Sequence, residues 1–367
     1  MTEENLISIL ALQKASLIGD LTAKKLINHC GSAEAIFKEK STHLLKINGI
    51  GQAHINSLKN KTIFNLAEDE LKFIKKNNLK YWYYKNIDYP NKLKHCIDAP
   101  ILLFYSGNIN LNSPKIISVV GTRNLTNNGK YFCEKLIEEL SLVNPIIISG
   151  FAYGTDICAQ KSAIKNNLQT IGCLAHGLNQ IYPKVHKKYV KQVEANGGFV
   201  TDFWSIDEPE RNNFLKRNRI IAGLSEATIV IESAKKGGSL VTADIANSYN
   251  REVFAVPGRA NDELSEGCNN LIKHQKAQLI TCAADIIYHL NWSVETTAKK
   301  VIQPQLFVEL SDIENTVFSF LSQQEKTHLD AISIACKLPI YQLSSTLLNL
   351  ELKGLIRALP GKQFQSI

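Results

Sequence analysis

The stretch Ile116-Ile117-Ser118-Val119-Val120-Gly121-Thr122-Arg123-Asn124 decides the fold. Five residues of buried-strand character run straight into a Gly turn that carries an Arg, the form taken by a strand that ends beneath a ligand site. Further apolar runs of strand length stand at residues 145–148, 170–174, 199–201, 228–231 and 253–256, with helix-length segments between them. Six such runs separated by helices predict a parallel sheet covered on both faces, the doubly wound α/β architecture. This domain is placed at residues 66–290.

The flanks read differently. Residues 1–65 show helical spacing at 6–18 and 21–30 and no strand, so a small helical domain is expected there. Its Ile47-Asn48-Gly49-Ile50-Gly51 turn has the form by which helix-hairpin-helix modules offer backbone N–H groups to phosphate, and also that of a simple turn in a helical bundle. Residues 291–304 turn polar and read as a linker. In residues 305–367 helices precede two short strands around a Pro-Gly turn, which suggests a winged-helix module that binds DNA or protein.

Composition bounds the function. The chain has 367 residues, 44% of them hydrophobic and 21% charged, enough for two or three cored domains. No apolar run approaches the ~18–20 residues of a membrane span. Met1-Thr2-Glu3-Glu4 places acids where a secretory signal carries lysines, so a cytosolic location is expected. Each of the eight cysteines is at least fourteen residues from the next, which excludes a C-x-x-C zinc or redox motif. A net charge of +8 favours a polyanionic partner if the excess is gathered in one place.

Ligands of open parallel sheets bind beyond the carboxyl ends of the strands. Those ends carry Gly121-Thr122-Arg123, Ser149-Gly150-Phe151-Ala152-Tyr153-Gly154-Thr155-Asp156, and Lys235-Lys236-Gly237-Gly238-Ser239 opening a helix. Gly turns and helix N-termini side by side make a trough for anions. Neither G-x-G-x-x-G nor G-x-x-x-x-G-K-[ST] occurs, so no dinucleotide cofactor and no P-loop are expected. Arg211, Lys216, Arg217 and Arg219 gather around Phe214 with no acid from 211 to 219. Guanidinium groups pair with phosphates and an aromatic face stacks a base of any identity, the combination that single-stranded nucleic acid requires; an exposed charged helix face would use the same residues. A second cluster joins Lys184, His186, Lys187, Lys188 and Lys191. Hydrolase, zincin and zinc-deaminase spacings are absent, and Asp156, Asp202, Glu232 and Asp244 read as helix caps and anchors for Arg or as an acid/base set.

Taken in order, these motifs resemble the DNA processing protein A (DprA, or Smf) family. The resemblance rests on Asp88-Tyr89-Pro90, Val119-Val120-Gly121-Thr122-Arg123, Ser149-Gly150-x-Ala152-x-Gly154-x-Asp156, Ile181-Tyr182-Pro183, Phe214-x-x-Arg217-Asn218-Arg219-Ile220-Ile221-Ala222-Gly223, Gly238-Ser239-Leu240-Val241-Thr242 and Val253-Phe254-Ala255-Val256-Pro257-Gly258. It implies an extended Rossmann-like domain between a sterile-alpha-motif or helix-hairpin-helix domain and a winged helix. It also implies a homodimer that binds single-stranded DNA without catalysis or cofactor, protects incoming strands and loads the RecA recombinase in natural transformation. By position, Arg123, Arg217, Asn218, Arg219 and Phe214 would line the DNA pocket, with backbone contacts from Gly121, Gly150, Gly154, Gly238 and Ser239 and with Lys184 nearby. Gln160 and Thr201-Asp202-Phe203-Trp204 depart from the family, which often has His and Ser-Glu-Tyr-Pro there. The rival reading is a Rossmann-like nucleoside-monophosphate phosphoribohydrolase. That class needs P-G-G-x-G-T followed closely by a Glu, whereas here Gly237-Gly238 follows Lys236 and the next acid along the chain is Asp244.

Overall fold

The structure, a computed structural model, describes residues 2–293, 310–324, 326–359 and 361–366. The chain divides into two compact units, Met1–Val294 and Glu295–Ile367. Of the linker expected at 291–304, the part from 294 onward lies outside the described residues.

The larger unit is built on nine strands: β1 (Lys80–Tyr83), β2 (Leu102–Gly107), β3 (Ile116–Val120), β4 (Ile146–Ser149), β5 (Thr170–Cys173), β6 (Gly197–Thr201), β7 (Ala227–Val230), β8 (Glu252–Ala255) and β9 (Gln278–Leu279). They lie in the order β1-β2-β6-β5-β4-β3-β7-β8-β9. From β6 across to β9 all neighbours are parallel, whereas β2 runs antiparallel to β6 and β1 antiparallel to β2. All six expected strands are present. The antiparallel pair β1–β2 was not expected, because its aromatic Tyr81-Trp82-Tyr83 run is short and half of it faces outward.

Strand alternation explains the two layers. Along β3, Ile116 and Val120 enter one core and Ile117 and Val119 the other; along β4, Ile146 and Ile148 oppose Ile147. The helices Arg211–Leu224 and Gly238–Ser248 cover the first face with Ile220, Ile221, Ala243 and Ala246. Asn127–Leu140 and Thr155–Lys165 cover the second with Cys133, Ile137, Ala159 and Ala163. A sheet buried on both sides needs this continuous apolar content in every strand.

The domain boundary expected at residue 65 is corrected. Helix Thr62–Lys76 runs through it, its apolar side (Ile63, Ala67, Leu71, Ile74) packed in one cluster with Ile9, Leu26, Ile101, Phe104 and Trp204. The N-terminal helices therefore share a core with the antiparallel edge of the sheet. Polar ties reinforce the join: Trp204 Nε1 donates to Gln13 Oε1 at 2.8 Å, and the Glu70 carboxylate accepts from the Ser205 backbone N–H at 3.0 Å. At the Ile47–Gly51 turn, the Gly51 N–H donates to His54 Nδ1 at 3.1 Å, so that amide is engaged within its own helix.

Arg219 is the strongest tie. Its guanidinium donates to Asp20 Oδ2 at 2.9 Å, to Asp202 Oδ2 at the end of β6 and to the Asp98 carbonyl, and so pins the helix Asp20–Cys30 to the sheet. Burial alone would weaken its hold on the proton, but Asp202 and Asp20 outweigh that and raise its pKa. Among the described residues of the smaller unit, three helices (Asp312–Leu321, Leu329–Cys336, Ile340–Leu352) and a three-stranded antiparallel sheet enclose Val317, Leu321, Ile332, Leu343, Leu347 and Leu350. This is a winged-helix arrangement.

Removing one member of a buried ion cluster leaves the others uncompensated, so Arg219→Ala should cost about 3–5 kcal/mol. A urea titration would read this as a lower midpoint, and an unchanged midpoint would show that the cluster contributes nothing.

Candidate nucleic-acid interface

Strand order reverses at β3: β4, β5 and β6 follow it to one side, and β7 and β8 lie on the other. Flanking loops part at such a switch point, and here they enclose a cleft of about 770 Å³. The loop after β3 brings Gly121, Thr122 and Arg123, the turn after β4 brings Tyr153 and Asp156, and the helix Arg211–Leu224 brings Arg211, Phe214, Arg217 and Asn218. The segment after β7 closes the rim with Lys236, Gly237, Gly238 and Ser239.

Arg217 is the central feature. It is 4% exposed, yet its Nε and Nη1 have no hydrogen-bond partner among the described residues. Burial works against its charge while Asp156 favours it, and a guanidinium stays protonated in a protein. Asp156 is buried too, and its carboxyl pKa is raised by desolvation against the opposing pull of Arg217. Gly150 makes the arrangement possible, because a Cβ there would overlap Arg217 Nη1. A buried cation with unfilled donors beside a cleft has the chemistry to attract an anion.

The surroundings extend that character. Two guanidiniums stand near the Phe214 ring, with Arg123 Cζ 5.1 Å and Arg217 Cζ 5.9 Å from its centroid, and Tyr182 stands 5.6 Å away ring to ring. The N-terminus of the eleven-residue helix Gly238–Ser248 opens on the same space, and nothing lies within 4 Å of where a Gly238 Cβ would stand. Asn218 Nδ2 donates to the Gly238 carbonyl at 3.2 Å and Ser239 Oγ to Ser233 Oγ at 2.9 Å, so both side chains also brace the loop. His176 positions Tyr182: its Nε2 accepts from the Tyr182 N–H at 3.2 Å while Nδ1 meets the Gly177 carbonyl at 2.9 Å, and burial keeps it neutral by lowering its pKa.

Of the residues singled out from sequence, the cleft brings together Gly121, Arg123, Phe214, Arg217, Asn218, Gly238 and Ser239. Gly150, Gly154, Lys184 and Arg219 are not on its wall. Gly150 lies behind Arg217. Gly154, at φ +73°, lets the turn pass against the Thr122 carbonyl. Lys184 is exposed at the start of the short turn Lys184–Tyr189. Placing Arg219 in the pocket is corrected: two residues from Arg217 on a helix means nearly the opposite face, and it is consumed by Asp20 and Asp202. Tyr153 and Tyr182 as pocket walls were missed, although both stand in the quoted motifs, whereas Asp156 beside Arg217 is one of the acids read from sequence as an anchor for Arg.

The acids do not converge. Asp202 serves Arg219, Glu232 Oε2 accepts from the Thr126 N–H at 3.0 Å, and Asp244 pairs with Lys276 at 2.9 Å on an exposed surface outside the cleft. None of these three lines the cleft, and the acid that does, Asp156, is buried beside Arg217. Among the described residues no group of three or more His, Cys, Asp or Glu is placed to hold a metal, and no helix is long and apolar enough to cross a membrane.

Fold and cleft together define a Rossmann-like protein with a cationic, aromatic-lined cavity at its switch point. Residues 80–291 match the model of the family DNA recombination-mediator protein A, and residues 303–362 match the DprA winged helix domain. The chain belongs to this DprA/Smf family. It is 30% identical to Protein Smf of Synechocystis over 97% of both chains, and 34% identical to Protein Smf of Escherichia coli over 74% of both. The X-ray structure of DNA processing protein A from Streptococcus pneumoniae superposes with a TM-score of 0.65 at 29% identity, covering 78% of this chain and 98% of that one. That of DNA processing protein A from Helicobacter pylori, solved for its single-stranded DNA binding mode, gives 0.52 at 30%, covering 58% and 96%.

The two glycines separate by their surroundings. Gly154→Ala, at positive φ and against the Thr122 carbonyl, should lose about 1–3 kcal/mol in a denaturant titration. Gly238→Ala, facing open space, should stay within roughly 0.5 kcal/mol of the parent. Equal losses at the two sites would contradict these environments.

Proposed function

We propose that the chain binds single-stranded DNA in the switch-point cleft, holding a backbone phosphate on Arg217 and stacking a base against Phe214. The single observation that carries this reading is the buried Arg217 guanidinium with Nε and Nη1 unfilled at the cleft wall. A phosphate supplies an acceptor of the kind those donors lack. Arg123, Arg211 and Lys236 add charge around the rim, and the helix N-terminus at Gly238 adds backbone donors. In this reading the site holds and orients a strand without reacting with it: Asp156, the acid of the cleft, is buried beside Arg217 and accepts from the Ala152 N–H.

Family membership supports the wider role: protecting a strand and handing it to the RecA recombinase during recombination and natural transformation, in the cytoplasm and as a homodimer. The dimer contact is not assigned to the segment around Leu271 and Ile272, because Leu271 is buried in the protomer's own core and Ile272 packs against it. A piece cut at residues 66–290 is a poor vehicle for testing this, since the cut severs helix Thr62–Lys76 and exposes Ile101, Phe104 and Trp204.

Fluorescence anisotropy with single-stranded oligonucleotides across a salt series tests the proposal on the full chain. Affinity should fall steeply with salt and depend little on base order. Arg217→Ala and Arg123→Ala should weaken every sequence alike, and Phe214→Ala should cost about 1–3 kcal/mol for the lost stack while leaving the salt slope in place. Preference for duplex, or affinity indifferent to Arg217, would overturn it.

A further inference from the structure

Beside the cleft lies a surface the binding site has not absorbed. From residue 157 to residue 193 the chain carries six lysines (161, 165, 184, 187, 188 and 191) and no acid. The acids on either side are engaged: Asp156 is buried facing Arg217, and Glu194 accepts from Ser106 Oγ at 2.9 Å. No ion pair within 4.0 Å engages any of the six lysines among the described residues, and all six side chains are on the surface.

The lysines are interleaved with rings that begin at the cleft mouth. Tyr153 and Tyr182 line the cleft and remain 43% and 37% exposed. From Tyr153 the rings continue to His186 at 5.2 Å and on to Tyr189 at 6.2 Å. Lys161 Nζ stands 5.3 Å and Lys188 Nζ 5.2 Å from the Tyr189 centroid. Buried His186, with Nδ1 2.9 Å from the Phe151 carbonyl, fixes the short turn Lys184–Tyr189 against the turn after β4. Burial lowers the His186 pKa, so the ring is neutral and the charge of the surface comes from its lysines.

We propose that this surface is a second, contiguous subsite, a track that carries the single strand onward after it leaves the cleft. Resting on the reading of the cleft given above, it assigns the backbone phosphates outside the cleft to Lys161 and Lys188, with the next bases lying over Tyr153. Aromatic faces alternating with ammonium groups, free of acids, are what a sequence-tolerant strand requires. The ring contacts from Tyr153 through His186 to Tyr189, beside Lys161 and Lys188, connect the mouth of the cleft to this surface.

The track predicts a dependence on strand length. Full-length protein and Lys161→Gln/Lys188→Gln are titrated with oligothymidylates of about six and about twenty nucleotides, lengths that bracket one compact binding site. The double variant should bind the long strand roughly tenfold more weakly, with a salt slope lower by about one to two, and the short strand within about twofold of the parent. Lys161→Arg/Lys188→Arg should restore the long-strand affinity, which separates lost charge from altered packing. Unchanged affinity for the long strand, or equal losses on both lengths, would overturn the track and leave the cleft reading intact. Parent protein that binds neither length would instead remove the cleft reading itself.

Discussion

A guanidinium buried with its hydrogen bonds unfinished is costly, and the architecture around Arg217 is arranged to bear that cost. Gly150 vacates the volume the group occupies, and Asp156, buried on the helix that follows, supplies a compensating field. Neither gives the fold an advantage of its own, since a buried charge contributes less to stability than an apolar side chain of the same size. Natural proteins keep unsatisfied buried donors at few places, and those call for an explanation outside the fold. In the proposed reading the explanation is an anion arriving from solvent, received where the loops of a doubly wound sheet separate.

Two arginines of one helix divide the work. Arg217 faces the cleft and is left unfilled, whereas Arg219, about half a turn around the axis, is saturated by Asp20, Asp202 and Asp98 and binds the N-terminal helices to the sheet. That staple joins the shared apolar cluster around Trp204 and Phe104, so the helical segment and the α/β sheet fold as one unit. The helix Arg211–Leu224 consequently has both faces fixed, and its cleft-facing residues are held in place without depending on ligand.

The central sheet was legible because parallel strands buried on both faces leave four- and five-residue apolar runs that few other structures produce. Its antiparallel edge was not, because β1 is short and mixes aromatic with polar residues, and the apolar run 101–105 that forms β2 buries Ile101, Leu102 and Phe104 against helices distant in sequence. The domain boundary failed for the same reason: helix Thr62–Lys76 carries an amphipathic pattern across residue 65, and only its packing against Ile101 and Phe104 shows what it belongs to. Within the site, counting basic residues along 211–219 found the cluster but could not sort it. The helical period was enough to separate Arg217 from Arg219, whereas the pairing of Arg219 with Asp20, 199 residues away, required the fold.

The account stands on the claim that Gly150 acts on binding only through Arg217. A double-mutant cycle of Gly150→Ala and Arg217→Met, read as single-strand affinity at fixed salt, measures this directly. If the added methyl works by expelling the guanidinium, each change alone lowers affinity to about the same level and the double variant is no weaker than either. Losses that add in the double variant would contradict it, placing Gly150 and Arg217 in separate roles and removing the buried guanidinium from the centre of the site.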